Sequence, residues 1–169
     1  MVLKMLFFLW LSCLFSLLHI AHGERSYSFP EEMKRGSIIG NIAKDLGMHT
    51  GMLSIRRARI ETEGSDQHYC DINVRNGELI VAERIDREGL CGKKPSCILR
   101  QELVLEDPLE LHRISIHIQD INDNSPEFKG AKIDLEIQES TYKGARFVIE
   151  EARDADVGQN SVQQYSLEK

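Results

Sequence analysis

The residues able to do chemistry in this sequence are carboxylates, and they fall in four sets. Glu31 stands alone; Asp86-Arg87-Glu88, Asp120-Ile121-Asn122-Asp123-Asn124 and Asp154-Ala155-Asp156 form the others. Each set lies at the end of a strand-like segment or in a linker. Carboxylates gathered at one pole of a fold repel one another unless a cation sits between them. Calcium meets that need, because it takes about six to eight oxygens at flexible geometry, including backbone carbonyls and Asn amides. Zinc or copper would want His or Cys among the acids, and none is interleaved. The run from Asp120 to Asn124 presents alternating side chains to one face of an extended linker, with carbonyls between them. Alone, Asp154-Ala155-Asp156 reads equally as a solvated turn; beside the other three sets it reads as part of a cation site.

Other chemistries lack their signatures. There is no Asp-x-Asp-x-Asp-Gly loop of the EF-hand kind, no Gly-rich phosphate loop, no nucleophile elbow and no His-Glu-x-x-His helix. His49, His68, His112 and His117 are scattered, as surface or strand residues are. The 21 Lys and Arg against 27 Asp and Glu give a formal net charge of −6. That balance excludes a non-specific nucleic-acid binder, which needs a basic face, so no nucleic-acid partner is expected.

The first residues set the compartment. Lys4 precedes an apolar run from Met5 to Ile20, and Ala21-His22-Gly23 offers small residues at a cleavage position. Residues 1–23 therefore read as a secretory signal, the run being short for a span of about 20 apolar residues. The secretory pathway permits disulfides. Cys91 and Cys97 enclose a polar, turn-like loop, Gly92-Lys93-Lys94-Pro95-Ser96. A bridge is expected there, stabilising by about 2 kcal/mol through loop entropy. A zinc pair is the rival, but no second Cys/His pair at ligand spacing follows. Cys70 lies in the strand-like stretch 68–74 and reads as a small buried apolar side chain.

The elements that must position the acids read as strands. Residues 37–42 are short, β-branched and bounded by glycines. Leu53, Ile55 and Ile60 suggest a further extended segment. Asp71-Ile72-Asn73-Val74 alternates and leads into Asn76-Gly77, a strong hairpin signal, before residues 79–82 return. Residues 97–105 form another run, and Ile114, Ile116 and Ile118 recur at period two within 111–118. No stretch shows a convincing 3.6-residue period. About seven short strands in roughly 100 residues predict an all-β, Greek-key β-sandwich. The boundary falls at Asn124-Ser125-Pro126. Beyond it, 133–138, 146–152 and 163–167 read as a few strands of a second unit, too few for an independent sandwich. The units echo each other: Glu31 precedes Gly36 as Glu139 precedes Gly144, and Ala43-Lys44-Asp45 matches Ala152-Arg153-Asp154. A tandem array is expected, with 24–126 its first repeat and 127–169 a truncated second.

At these residues the sequence resembles the cadherins. Asp86-Arg87-Glu88 resembles the Asp-Arg-Glu motif of that family, and Asp120 to Phe128 its inter-repeat linker. Asp154-Ala155-Asp156 with Gly158-Gln159-Asn160 is similar to the opening of the following repeat. Tyr27-Ser28-Phe29-Pro30-Glu31-Glu32, Asn41 to Gly47, and Arg84-Ile85-Asp86-Arg87-Glu88 with the Cys91 and Cys97 spacing are similar to the clustered protocadherins. The resemblance implies immunoglobulin-like topology and three calcium ions. Glu31, Asp86, Glu88 and Asp123 would hold the first. Glu31, Glu88, Asp120, Asp123, Asp156 and the Ile121 carbonyl would hold the second. Asn122, Asp154, Asp156 and the carbonyls of Asn124 and Asn160 would hold the third, with a further Asp from sequence beyond this chain. Glu32 lies outside these sets. Phe29 stands where Ile is usual, and Ser125 at a position often Ala.

The resemblance further implies calcium-dependent, homophilic cell–cell adhesion and no enzymatic activity. The partner would be the same or a related protocadherin on an apposed cell. The location would be the extracellular side of the plasma membrane, with membrane attachment through a region absent from this chain. The competing reading is a secreted calcium-dependent hydrolase or carbohydrate-binding protein, which needs a nucleophile–base pair or carboxylates beyond the calcium set.

Overall fold

The computed structural model describes residues 23–130 and 132–167; apart from Gly23, the expected signal segment lies outside them. Seven strands form: β1 Arg25–Pro30, β2 Ile38–Asn41, β3 Arg59–Thr62, β4 Cys70–Asn73, β5 Glu78–Val81, β6 Cys97–Leu105 and β7 Glu110–Gln119. They make two sheets facing each other, β1-β7-β6-β3 and β2-β5-β4. Crossing from β2 to β3 and back to β4 changes sheet each time, so the chain traces a Greek-key sandwich, as expected. All pairings are antiparallel except β1 with β7, which run parallel in register from Arg25 opposite Ile114 to Pro30 opposite Gln119.

Alternation explains what each strand buries. Ile114, Ile116 and Ile118 of β7 point inward, with Ser115 and His117 outward, because successive strand side chains face opposite sides. In β6 the inward set is Cys97, Leu99, Gln101, Leu103 and Leu105; Ile98 is left exposed on the outer face. Cys70 and Ile72 of β4 lie opposite Val81 and Leu79 of β5 and close the core from the other sheet. The Asn76-Gly77 hairpin forms between these strands. Gly77 has φ +76, and a Cβ there would come within 2.3 Å of the Ala43 Cβ.

Three short helices are a departure from the all-strand pattern: α1 Ile42–Asp45, α2 Thr50–Ile55 and α3 Arg87–Cys91. Asn41 caps α1 by accepting from Lys44 N at 2.9 Å, while its amide donates to Asn76 O at 2.9 Å, tying α1 to the hairpin. Leu53 and Ile55, expected in an extended segment, lie on α2. Leu53 is buried and Ile55 is exposed, since residues two apart on a helix face different ways. Helices of one turn or so are too short to impress a 3.6-residue period on a sequence.

The expected strands at 133–138, 146–152 and 163–167 are not formed among the described residues; the segment has one isolated bridge, Glu127 with Arg153. Ile133, Leu135 and Ile137 alternate as a strand would but lie about half exposed, with no facing sheet to bury them. The echo between the two units also stops at the pattern. Asp45 sits in α1 and accepts from the Tyr27 hydroxyl at 2.7 Å, whereas Asp154 is buried among acids.

Candidate metal centre

Strand register brings the acids together. Because Pro30 lies opposite Gln119 in the parallel β1–β7 pair, Glu31 emerges beside Asp120 as both strands end, and Glu31 N donates to Gln119 O at 2.9 Å. The Glu31 carboxylate is buried and held at both ends. Its Oε2 accepts from Arg87 N at 2.6 Å and its Oε1 from Ile121 N at 3.0 Å. One side chain thus joins the end of β1, the start of α3 and the linker after β7. Asp86 caps α3, accepting from Gly89 N at 3.0 Å. That cap sets the helix whose first turn carries Glu88.

Residues 154–160 close the site from the far side. Asp154 and Asp156 are buried, and Asp156 N donates to Asp154 Oδ1 at 3.0 Å. The Asn124 amide donates to Asp156 Oδ1 at 2.7 Å and to Asp123 Oδ1 at 2.8 Å. The Asn160 amide donates to Asp120 Oδ2 at 2.9 Å. The linker and the 154–160 loop are thereby laced to each other through the acids.

Three groups of carboxylate oxygens lie within 4.8 Å of one another: Glu31 with Glu88 and Asp120, Glu88 with Asp123 and Asp156, and Glu31 with Glu32 and Asp123. The first two groups fall wholly within the set expected for the second ion. The third adds Glu32, which the sequence reading left out. Glu32 has φ 62, a left-handed conformation that breaks strand alternation, so adjacent glutamates both reach Asp123. Glu32 also pairs with Arg84. Asp86 belongs to none of the three groups but lines the same cavity as Glu32, Asp123 and Asn124. Asn122 is exposed. The Ile121 carbonyl accepts from Asp123 N at 2.9 Å.

The donor set fits a hard cation. Glu88 Oε2, Asp120 Oδ1 and Asp154 Oδ2 are buried without a hydrogen-bond partner; Asp120 Oδ1 has the Arg87 guanidinium 3.3 Å away as an ion pair. Buried acceptors without donors are costly, and oxygens are the ligands calcium takes. Burial pushes the Glu88 carboxyl up to about 7, against the opposing Arg87 hydrogen bond and helped by Asp120 and Glu31. The carboxyl is thus in a place that favours a proton or another cation over a bare charge. The Cys91–Cys97 disulfide forms as expected, and Cys70 is free and buried. Arg87 is the residue whose role the motif alone did not reveal: its side chain is 2% exposed and touches Glu88, Asp120 and the disulfide loop.

Comparison with known proteins places the chain beside one family. Residues 24–107 match the cadherin-like family model. The chain is 45% identical over 141 residues to protocadherin gamma-B5 of Homo sapiens and 47% identical over 141 residues to protocadherin gamma-B2 of Homo sapiens, covering 83% of this chain in each case. It spans 15% of the length of each of those relatives. Among solved structures it is similar to PcdhgB3 EC1-4, with TM-score 0.79 and 45% identity over 84% of this chain and 33% of that one. It is also similar to mouse clustered PcdhgC3 EC1-3, with TM-score 0.76 and 45% identity over 82% of this chain and 44% of that one. Drosophila N-cadherin EC1-4, at 22% identity and TM-score 0.58, shares the fold.

Proposed function

The chain belongs to the cadherin family, and from that premise we propose that it is part of a calcium-dependent, homophilic cell-adhesion protein. Residues 24–126 form one extracellular repeat, and 127–169 begin the next. The observation that carries the reading is the buried carboxylate oxygens of Glu88 and Asp154 that have no hydrogen-bond partner, beside Asp120, where four chain segments converge. Glu31, Glu88, Asp120, Asp123 and Asp156 hold calcium at the centre of the junction. Asp86 and Glu32 flank it on one side. Asp154, Asn122 and the carbonyls of Ile121, Asn124 and Asn160 serve it on the other. Bound calcium supplies the positive charge that cancels repulsion among these acids and ties the two repeats into one rod.

The rod places its adhesive face at the extracellular side of the plasma membrane, opposite the same or a related protein on an apposed cell. Among the described residues no helix is long and apolar enough to cross a membrane. Relatives that are protocadherins favour adhesion over the hydrolase or carbohydrate-binding reading.

Thermal unfolding of the secreted chain in calcium and in chelator tests the site. Ligand binding to the native state alone adds about 2.7 kcal/mol at a hundredfold excess over the dissociation constant. Asp123→Ala removes an oxygen shared by two of the three groups and abolishes most of that gain. Asp66→Ala, at an exposed position outside the three carboxylate groups, leaves it intact. Equal melting in calcium and chelator overturns the reading. Glu32→Ala is expected to lower the gain in part, because Glu32 lies in one group with Glu31 and Asp123.

A further inference from the structure

We infer that Arg87 couples the Cys91–Cys97 loop to the acidic junction, so that the disulfide tunes calcium affinity and bound calcium shields the disulfide. The inference rests on the calcium reading above and deepens it.

The guanidinium stands between two kinds of acceptor. On one side Nη1 lies 3.0 Å from Glu88 Oε1 and 3.3 Å from Asp120 Oδ1. On the other, Nη1 donates to Gly92 O at 3.4 Å and Nη2 to Lys94 O, both carbonyls inside the disulfide loop. The side chain is almost wholly buried, so its donors have little water to turn to. By holding Glu88 through Oε1, Arg87 leaves Oε2 as the donorless oxygen facing the acids. It acts as a positioning residue, not as a ligand.

The bridge reinforces the same link. Helix α3 carries Glu88 in its first turn and Cys91 at its end. Cys91 is joined to Cys97, the first residue of β6, and Cys97 lies opposite Ile118 on β7, just before the strand delivers Asp120. The disulfide therefore staples the helix that holds one carboxylate to the strand pair that delivers another. Lys93, at the loop's tip, lines a cavity with Asp123 and Asp154, so the loop meets the junction from a second direction. Cutting the bridge frees the loop carbonyls. The five N–H donors of the guanidinium then turn to Glu88 and Asp120 and compete with the ion, while α3 loses its staple. Coupling between two sites is reciprocal, so calcium must in turn hold the loop closed.

Two measurements on the secreted chain read the coupling. Calcium titration calorimetry compares the bridged protein with the Cys91→Ser, Cys97→Ser double variant; affinity is expected to fall about tenfold without the bridge. Reduction by dithiothreitol is timed with calcium or chelator present. The reductant gives two electrons and two protons, the bridge becomes two thiols, and the reductant closes to its cyclic disulfide. Calcium is expected to slow this about tenfold in the wild type. In Arg87→Met the calcium dependence of the rate disappears, and in Arg87→Lys, which cannot span both sets of acceptors, it returns only in part. Leu103→Ala, which weakens the core without touching the loop, keeps the full calcium dependence, separating coupling from general loss of stability. If the wild type binds calcium yet reduction is indifferent to it and both forms titrate alike, the coupling is overturned while the calcium site stands. If no calcium binds at all, the calcium reading falls and the coupling with it.

Discussion

The sandwich from Arg25 to Gln119 and the segment beyond Glu127 bury opposite kinds of side chain. In the sandwich, Leu53, Leu79, Leu103, Leu105 and Ile116 are fully buried. Among the described residues beyond Glu127 the buried ones are Asp154 and Asp156, while Val148 and Leu167 are 97% exposed. Burial of apolar area orders the first region, since removing such area from water is the main favourable term in folding. The second region lacks that term. Its enclosed groups are charged, and they are enclosed where they meet the linker acids. A cation at the junction would do for the second region part of what the core does for the first.

Substituting apolar residues in each region tests this contrast most sharply. Leu103→Ala should destabilise the chain by about 3 kcal/mol, as buried leucines in close-packed cores do. Val148→Ala should change stability by less than about 0.5 kcal/mol, the usual range for surface positions. Urea unfolding followed by circular dichroism separates the two. A comparable loss from Val148→Ala would show that the second region has its own packed core.

Two glycines with positive φ give the next largest contrast. Gly77 has φ +76 with Ala43 in the way of a Cβ, whereas Gly144 has φ +96 with nothing within 4 Å. Gly77→Ala meets both backbone strain and a clash, at an expected cost of about 2 to 3 kcal/mol. Gly144→Ala meets strain alone, about 1 kcal/mol. The same denaturant titrations measure both. Equal costs would mean that the hairpin can move off α1 freely, against the ties from Asn41 to Asn76 O and Lys44 N.

The sandwich was legible in the sequence where a strand was long enough to show its period. Ile114, Ile116 and Ile118 announce β7, and Asn76-Gly77 announces the hairpin. The helices were not legible, because four to six residues cannot display a 3.6-residue repeat and Leu53 and Ile55 fit an extended segment equally well. At the junction, residue types and spacing identified Glu31, Glu88, Asp120, Asp123 and Asp156, which the structure gathers. Glu32 was missed because its nearness to Asp123 depends on a left-handed backbone that no local pattern signals. Arg87 was missed because its partners, Asp120 and the carbonyls of residues 92 and 94, are set by tertiary folding and by the bridge.

Cys70 offers the smallest and most selective probe of the first region. It is buried on β4 between the sheets, and burial, with the charge of Asp71 adding to it, pushes its thiol up to about 12. In the unfolded chain a thiol titrates near about 8.5. Between those values the unfolded state loses its proton while the folded state keeps it. The folded state therefore binds more protons there, and stability must fall as pH rises from about 8.5 towards 12. Below the unfolded value the thiol is neutral in both states and contributes no slope. At pH 9.5 the expected loss is about 1 kcal/mol relative to pH 7.5, from the fraction of unfolded thiol ionised. Cys91 and Cys97 are bridged and do not titrate. Cys70→Ala should therefore flatten the stability profile between pH 7.5 and pH 9.5 by about that amount, whatever its effect at neutral pH. Urea midpoints of wild type and variant across this range, in chelator to keep the junction out of the measurement, provide the check. Parallel profiles would mean that water reaches the thiol and that the interior between the two sheets is not dry.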